Sequence, residues 1–301
     1  MELSDKKFAV LIDADNISHR KIKDILDEIA NYGTPTIKRI YGDFTDPKFA
    51  AWKSVLLENS ITPIQQYAYT TGKNATDSAL IIDAMDILHK ESVNGFCIVS
   101  SDSDYTRLAS RIRESGREVL GFGEKKTPKP FIKSCDKFIY VEILGQPAPA
   151  PAPVSAPAQT AAAVPAAKAA TPKKTAKKHQ GRNAPETDMP EAAPAEPAAA
   201  EKKAAPAPDT AQPQPIIRPI DEDFKTLLAN TIEDAADDSG WAFLGIVGGV
   251  LTKKMPDFDP RNYGYKKLSL LVKSLSKIVE IEERPSENKE LKLVYVRNRT
   301  R

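Results

Sequence analysis

Apolar positions in the first half of the chain fall in short unbroken runs, separated by stretches in which they recur every third or fourth residue. Residues 8–12 are apolar without a break, and the run stops at Asp13 and Asp15. That is the pattern of a strand buried on both faces and ended by acids. Ile22, Ile25, Leu26 and Ile29 then mark one helix face, with Gly33 as a natural stop. Residues 36–41 read as a second strand, and Asp46-Pro47 supplies a cap and a first-turn proline for a helix carrying Phe49, Trp52, Val55 and Leu56. An extended stretch at 64–69, a polar loop, and a helix through Leu80, Ile81, Ala84, Ile87 and Leu88 follow. Residues 96–99 form another buried strand, Tyr105, Leu108 and Ile112 another helix face, and 118–122 a further strand, with 137–141 placed to close the sheet. Strands alternating with helices in this way predict an α/β fold with a mostly parallel sheet and helices on both faces.

The pattern vanishes after residue 146. Residues 147–219 contain no Phe, Trp or Tyr and hold 16 of the 24 prolines. Such a segment cannot bury enough apolar surface to offset its ordering entropy, so a disordered Ala/Pro/Lys-rich linker is expected. Its 73 residues would span about 45–50 Å as a flexible coil. The linker predicts two independently oriented modules, residues 1–146 and 220–301. In the second, Phe224, Leu227, Leu228 and Ile232 make a helix face, 241–251 a second helical stretch, and Leu268, Leu271, Val272, Leu275 and Ile278 a third. Two short strands at 279–281 and 291–296, around a polar turn at 286–288, complete the pattern of a winged helix.

Composition narrows the chemistry. The chain has 43 basic and 41 acidic residues, a net charge of +2, so global charge points to no partner. The two cysteines, Cys97 and Cys135, sit in apolar runs without metal-ligand spacing, which argues against a zinc site or a disulfide framework. No apolar signal core opens the chain, and no segment approaches the roughly 20 apolar residues that span a membrane, so a cytoplasmic protein is expected. The three histidines do not suggest catalysis: His19 begins a helix, His89 ends one where its charge suits the dipole, and His179 lies in the linker.

The acids carry more information. Asp13 and Asp15 follow the first strand, Asp77 opens a helix, and Asp102 and Asp104 follow the strand at 96–99. In a parallel sheet these positions share one edge, where ligands of open α/β sheets bind. Each acid taken singly is an ordinary cap or first-turn residue, but their coincidence is not. Carboxylates brought together repel unless a cation lies among them, and an all-oxygen set selects Mg²⁺ or Mn²⁺. Asp13, Asp77, Asp102 and Asp104 are therefore the candidate metal ligands and catalytic residues, with Asp15 and Asn16 beside them. Asp83 lies about 120° around the helix from Asp77 and reads as a buried supporting acid, whereas Asp86 faces away as solvated surface. Lys73, in the loop before Asp77, is a candidate contact to a substrate phosphate.

The runs Leu-Ile-Asp-Ala-Asp-Asn, Gly-Lys-Asn-Ala-Thr-Asp-Ser-Ala-Leu-Ile-Ile-Asp-Ala and Ile-Val-Ser-Ser-Asp-Ser-Asp-Tyr resemble, in order and spacing, the NYN family, the LabA-like branch of PIN-like nucleases. The resemblance covers about the first 145 residues and implies a PIN-like, Rossmann-like fold with metal-dependent ribonuclease activity. It places the ion on Asp13, Asp77, Asp102 and Asp104, with Asn16 nearby, and matches Asp83 to an acid of the family helix. One departure is that Asn-Ala-Thr, not Gly, follows Lys73. The last 80 or so residues resemble the OST-HTH, or LOTUS, domain through Trp241, Leu244, Gly245, Phe258, Tyr263, Gly264 and Leu268. That resemblance implies RNA binding, with structured or G-rich RNA as the suggested ligand. Lys266, Lys267, Lys273 and Lys277, on or beside the third helix, are the candidate RNA contacts, although 14 basic and 14 acidic residues from 220 onward balance the module's charge.

The expected function is hydrolysis of RNA phosphodiesters by the acidic site, with a tethered winged helix concentrating the substrate. Two alternatives stay open. One is a non-catalytic RNA-binding adaptor whose acids hold a structural ion or none; protein partners for the C-terminal module are a separate expectation. The other is a haloacid dehalogenase-type phosphatase, suggested by Asp13-Ala14-Asp15 with Asp13 as nucleophile.

Overall fold

In the computed structural model the apolar run at 8–12 is the middle of strand β1 (Lys7–Asp13), whose six inner residues are all buried. The structure describes residues 6–67, 75–90, 92–145, 217–285 and 292–299. The linker expectation for 147–216, Lys73 and the turn at 286–288 lie outside them. After β1 come α1 (Ile22–Ile29), β2 (Thr34–Gly42), α2 (Trp52–Asn59), β3 (Thr62–Gln65), α3 (Ala75–Lys90), β4 (Gly95–Val99), α4 (Thr106–Glu114), β5 (Glu118–Gly123), α5 (Lys129–Ser134) and β6 (Lys137–Tyr140). The sheet runs β3-β2-β1-β4-β5-β6 with every neighbouring pair parallel. The chain builds outward from β1 to β3, returns beside β1 as β4, and builds outward the other way. The crevice between β1 and β4 is thus the point where strand order reverses.

Alternation along β1 divides the core into two layers. Phe8, Val10 and Ile12 pack with Ile22, Ile25, Ile29 and Trp52 of α1 and α2. Ala9 and Leu11 pack with Leu80, Ile87, Leu108 and Phe131 of α3, α4 and α5. The next residue in this second register is Asp13, so period-two geometry sends its carboxylate toward the α3–α4 face.

Two details depart from the sequence reading. Gly33 does not stop α1, which ends at Ile29 with Ala30 as its C-cap; a Cβ at Gly33 would lie 2.4 Å from the Lys6 carbonyl oxygen and 2.9 Å from the Phe8 ring. Glycine is needed there so that β2 can start against β1. Helix α5, only six residues long with Pro130 in its first turn, was not foreseen because it is too short to show helical periodicity.

The C-terminal module contains α6 (Glu222–Ala235), β7 (Ala242–Phe243), α7 (Leu244–Lys254), α8 (Leu268–Ser274), β8 (Val279–Pro285) and β9 (Lys292–Asn298). Asp221 caps α6, accepting from the Phe224 amide at 2.8 Å. Phe224 packs against Phe258 and Tyr263, with ring centroids 5.8 and 4.7 Å away. Residues 242–243, expected to be helical, instead pair with Val296 and Tyr295, giving the antiparallel order β7-β9-β8. Helix α8 ends at Ser274, short of Ile278. The Arg218 amide donates to the Asn262 carbonyl at 2.7 Å, so ordered contacts of the module begin two residues before 220.

The described residues of both modules, from 6 to 145 and from 217 to 299, belong to one compact unit. The Phe138 amide, on edge strand β6, donates to the Pro256 carbonyl at 2.9 Å, which covers an otherwise open sheet edge. Arg261 grips Glu28 with two parallel bonds of 3.0 and 2.9 Å. Asp257 accepts from Tyr140 at 2.8 Å and from Arg218 at 2.9 Å. Independent orientation was expected from the linker alone. Single residues such as Glu28 and Arg261, 233 positions apart, leave no trace in local pattern.

Candidate functional site

Asp13 has no exposed surface and is held by donors from three directions. Its Oδ2 accepts from Asn16 Nδ2 at 2.6 Å and Ser100 Oγ at 2.9 Å, with the Tyr105 hydroxyl oxygen 3.4 Å away, while Oδ1 accepts from the Asp15 amide at 3.0 Å. Burial pushes its carboxyl above the ordinary carboxylate value; the bonds from Asn16 and Ser100 oppose that, and the charge of Asp77 adds to it. Tyr105, fully buried at the start of α4, donates its single proton to Asp77 Oδ1 at 2.7 Å. Burial and the neighbouring Asp13 charge raise its own pKa, so the hydroxyl keeps its proton and acts as a donor.

Three carboxylates gather beside this pair. Oxygens of Asp77, Asp102 and Asp104 lie within 4.8 Å of one another, with Asp77 and Asp102 half-buried and Asp104 exposed. Asp77 comes from the first turn of α3. Asp102 caps the turn leading into α4, accepting from the Asp104 amide at 3.0 Å, while its own amide donates to Ser100 Oγ at 3.0 Å. Ser100 thus ties the Asp102 turn to Asp13. Asp77 is pushed up by burial and by the charges of Asp102 and Asp104, against the Tyr105 bond that lowers it. Mutually repelling oxygens on a half-open surface suit a hard divalent cation.

Of the four acids expected to share the ion, Asp13 is not among the three clustered here and stands behind them, with Tyr105 between it and Asp77. Asp15 is exposed and pairs with Lys48 at 2.8 Å. Asp83 is a supporting acid for a different group. It binds Arg39 and the Tyr41 hydroxyl, and so braces α3 on β2 instead of touching the acid cluster. Asp86 is exposed and paired with Lys90 at 2.9 Å. Ser100 and Tyr105 were missed as site residues. Tyr105 read as one more apolar position of a helix face, and only its place one residue after Asp104 hinted at more.

A family model for the NYN domain matches residues 7–143, and one for the OST-HTH/LOTUS domain matches 215–291. The chain carries an NYN domain followed by a LOTUS domain. NYN domains belong to a nuclease superfamily and LOTUS domains bind RNA, so the pair supports an RNA-related nuclease or binder. No curated protein matches the chain at a significant level. Among solved structures, a protein of unknown function from Vibrio parahaemolyticus is similar at 20% identity and a TM-score of 0.39, covering 46% of this chain and 96% of that one. An uncharacterized protein from Nitrosomonas europaea is 35% identical over 34% of this chain and 93% of its own, with a TM-score of 0.26. A Chromobacterium violaceum protein is 35% identical over 26% of this chain and 83% of its own, with a TM-score of 0.23.

In the LOTUS domain, Lys266, Lys267, Lys273 and Lys277 are all exposed. Lys273 pairs with Glu283 at 2.9 Å, so it is partly neutralised. Within the described residues, no helix is long and apolar enough to cross a membrane.

Proposed function

We propose that the protein is a metal-dependent ribonuclease in which Asp77, Asp102 and Asp104 hold Mg²⁺ or Mn²⁺. The supporting observation is their approach to within 4.8 Å at the strand-order reversal of the sheet. Their donor set, all oxygen and half-open to solvent, fits a hard cation that keeps part of its water shell. When bound, such an ion polarises a phosphoryl oxygen and lowers the pKa of a water. The chain's own part is positioning. Tyr105 holds Asp77 by its proton, the Asp104 amide holds Asp102, and Asp13 with Ser100 fixes both turns from below. The LOTUS domain binds RNA and raises its concentration at the site.

A phosphatase using Asp13 as nucleophile requires that carboxylate to reach phosphorus. Asp13 is fully buried and accepts hydrogen bonds from the Asp15 amide, Asn16 and Ser100, which speaks against that role. The test is cleavage of mixed-sequence RNA, beside a phosphomonoester, with and without Mn²⁺. Wild type is expected to cut RNA only with the ion, and Asp77→Asn and Asp102→Asn to lose about a hundredfold or more. Asp86→Asn is the control. Mn²⁺-dependent cutting that persists in both site variants would overturn the reading, and RNA binding without any cutting would leave the adaptor.

A further inference from the structure

Two open clefts, of about 750 and 610 Å³, meet along α5 where the NYN domain faces α7 of the LOTUS domain, and both are lined by Lys133 and Pro256. Most acids in their walls are already committed. Asp136 binds Arg113 at 2.9 Å and Glu118 binds Lys6 at 2.7 Å. Asp257 is held by Arg218, and Asp221 caps α6, leaving Asp223 as the remaining acid of the wall. Arg117, Lys129, Lys133 and Lys253 line the same clefts and have no ion-pair partner among the described residues. Lys129 and Lys133 stand four apart on α5, the spacing that puts two side chains on one helix face. Unpaired cations gathered in a walled groove raise the local potential and attract a polyanion.

The groove also points somewhere. In a parallel sheet the loop after β5 leaves the same edge as the loop after β4, which carries Asp102 and Asp104. Lys125 and Thr127 of the β5 loop line the upper cleft, and the Glu124 amide beside them donates to Ser101 Oγ at 2.8 Å. Helix α5 lies on the same sheet face as Asp13, its Phe131 ring 6.4 Å from the Tyr105 ring. The bonds between Arg261 and Glu28 and between Phe138 and Pro256 hold the two walls in place.

We infer that this seam is a track for the phosphate backbone of single-stranded RNA, gripped by Arg117, Lys129 and Lys133 from the NYN side and by Lys253 from the LOTUS side, and leading to the acid cluster. A groove with walls on both sides suits an extended strand and not a duplex. The inference rests on the ribonuclease reading and adds a composite binding surface to it, distinct from the lysines around α8.

The test measures binding of the full chain to a fluorescein-labelled 20-nucleotide single-stranded RNA over a salt series in EDTA. The variant Lys129→Gln/Lys133→Gln removes two exposed charges from the track. Lys23→Gln/Lys53→Gln removes two exposed charges from the opposite sheet face and is the control. The track variant is expected to bind about tenfold or more weakly at low salt, with the log–log salt slope shallower by about 1.4, from about 0.7 per phosphate contact. Adding Lys253→Gln is expected to weaken binding again. Equal affinity and slope for the track and control variants would overturn the inference while wild-type binding leaves the RNA reading standing. No added effect of Lys253→Gln would overturn the two-sided track. Absence of salt-dependent RNA binding by wild type would remove the RNA reading itself, and the track with it.

Discussion

Arg261 is the most exacting test of how the two domains are joined. Its guanidinium forks onto Glu28 at 3.0 and 2.9 Å and onto Asp259 at 2.7 Å, with the Glu28 and Asp259 side chains only 11% and 7% exposed. Replacing Arg261 by Met leaves two nearly buried carboxylates without their cation, a situation that costs about 3–5 kcal/mol when burial is complete. Arg261 is itself 31% exposed, which lets water offset part of that loss. A loss of about 3 kcal/mol is expected, of which about 2 kcal/mol is coupling to Glu28, in the range measured for close charge pairs. The assay is a double-mutant cycle of Arg261→Met and Glu28→Gln. The chain has two tryptophans, Trp52 in the NYN domain and Trp241 in the LOTUS domain. A Trp52→Phe background leaves Trp241 to report urea unfolding of the LOTUS side alone. Glu28→Gln, made in the other domain, should then shift the Trp241 transition. Effects that add within about 0.5 kcal/mol, or a Trp241 transition indifferent to Glu28, would show that the domains are not coupled there.

Asp83→Asn should destabilise the NYN domain by about 1–3 kcal/mol, because a carboxylate bonded to Arg39 and Tyr41 is lost, while Mn²⁺ affinity stays at the wild-type value; a large drop in ion binding would place Asp83 in the site after all. Both cysteines are buried, and burial raises the Cys97 thiol and takes the Cys135 thiol up to about 12, so neither should react with a disulfide reagent in the native protein at pH 8; prompt labelling would contradict the packing. Asp77 is raised above its ordinary 3.8, so its native-state contribution is fully present below that value and is lost as pH rises through the raised one. In EDTA, Asp77→Asn should therefore melt higher than wild type at pH 7, with the gain disappearing as the pH falls toward 3.8; a lower melting temperature at neutral pH would show that the carboxylates are not mutually strained.

The sheet was legible because its strands are buried on both faces. Residues 8–12 and 96–99 are short unbroken apolar runs that stop at polar residues, the pattern of such strands, and the intervening helices show their period. The edge on which Asp13, Asp77 and Asp102 fall followed from strand direction alone. What pattern could not show was how each acid is used. Asp13 and Asp77 look equivalent in sequence, but Asp13 lies deep enough for Asn16, Ser100 and the Asp15 amide to donate to it, and Asp77 lies where two other carboxylates meet it. What Asp83 supports was not legible, because its partners, Arg39 and Tyr41, come from β2, more than 40 residues earlier. The strand at 242–243 reads as helix in one dimension, since Trp241 to Leu251 is apolar throughout its inner face; only pairing with Tyr295 and Val296 decides it. The contact of the two domains rests on single charged residues and an edge-strand amide, which have no local signature.

The ribonuclease reading requires that Asp77, Asp102 and Asp104 hold a divalent cation. Titration of Mn²⁺ into the full chain, followed calorimetrically for wild type and for Asp77→Asn/Asp102→Asn, measures this without reference to any substrate. Wild type should bind saturably and the variant should lose at least about tenfold in affinity, since two of three anionic ligands are gone. Equal Mn²⁺ affinity in the two proteins would contradict that reading.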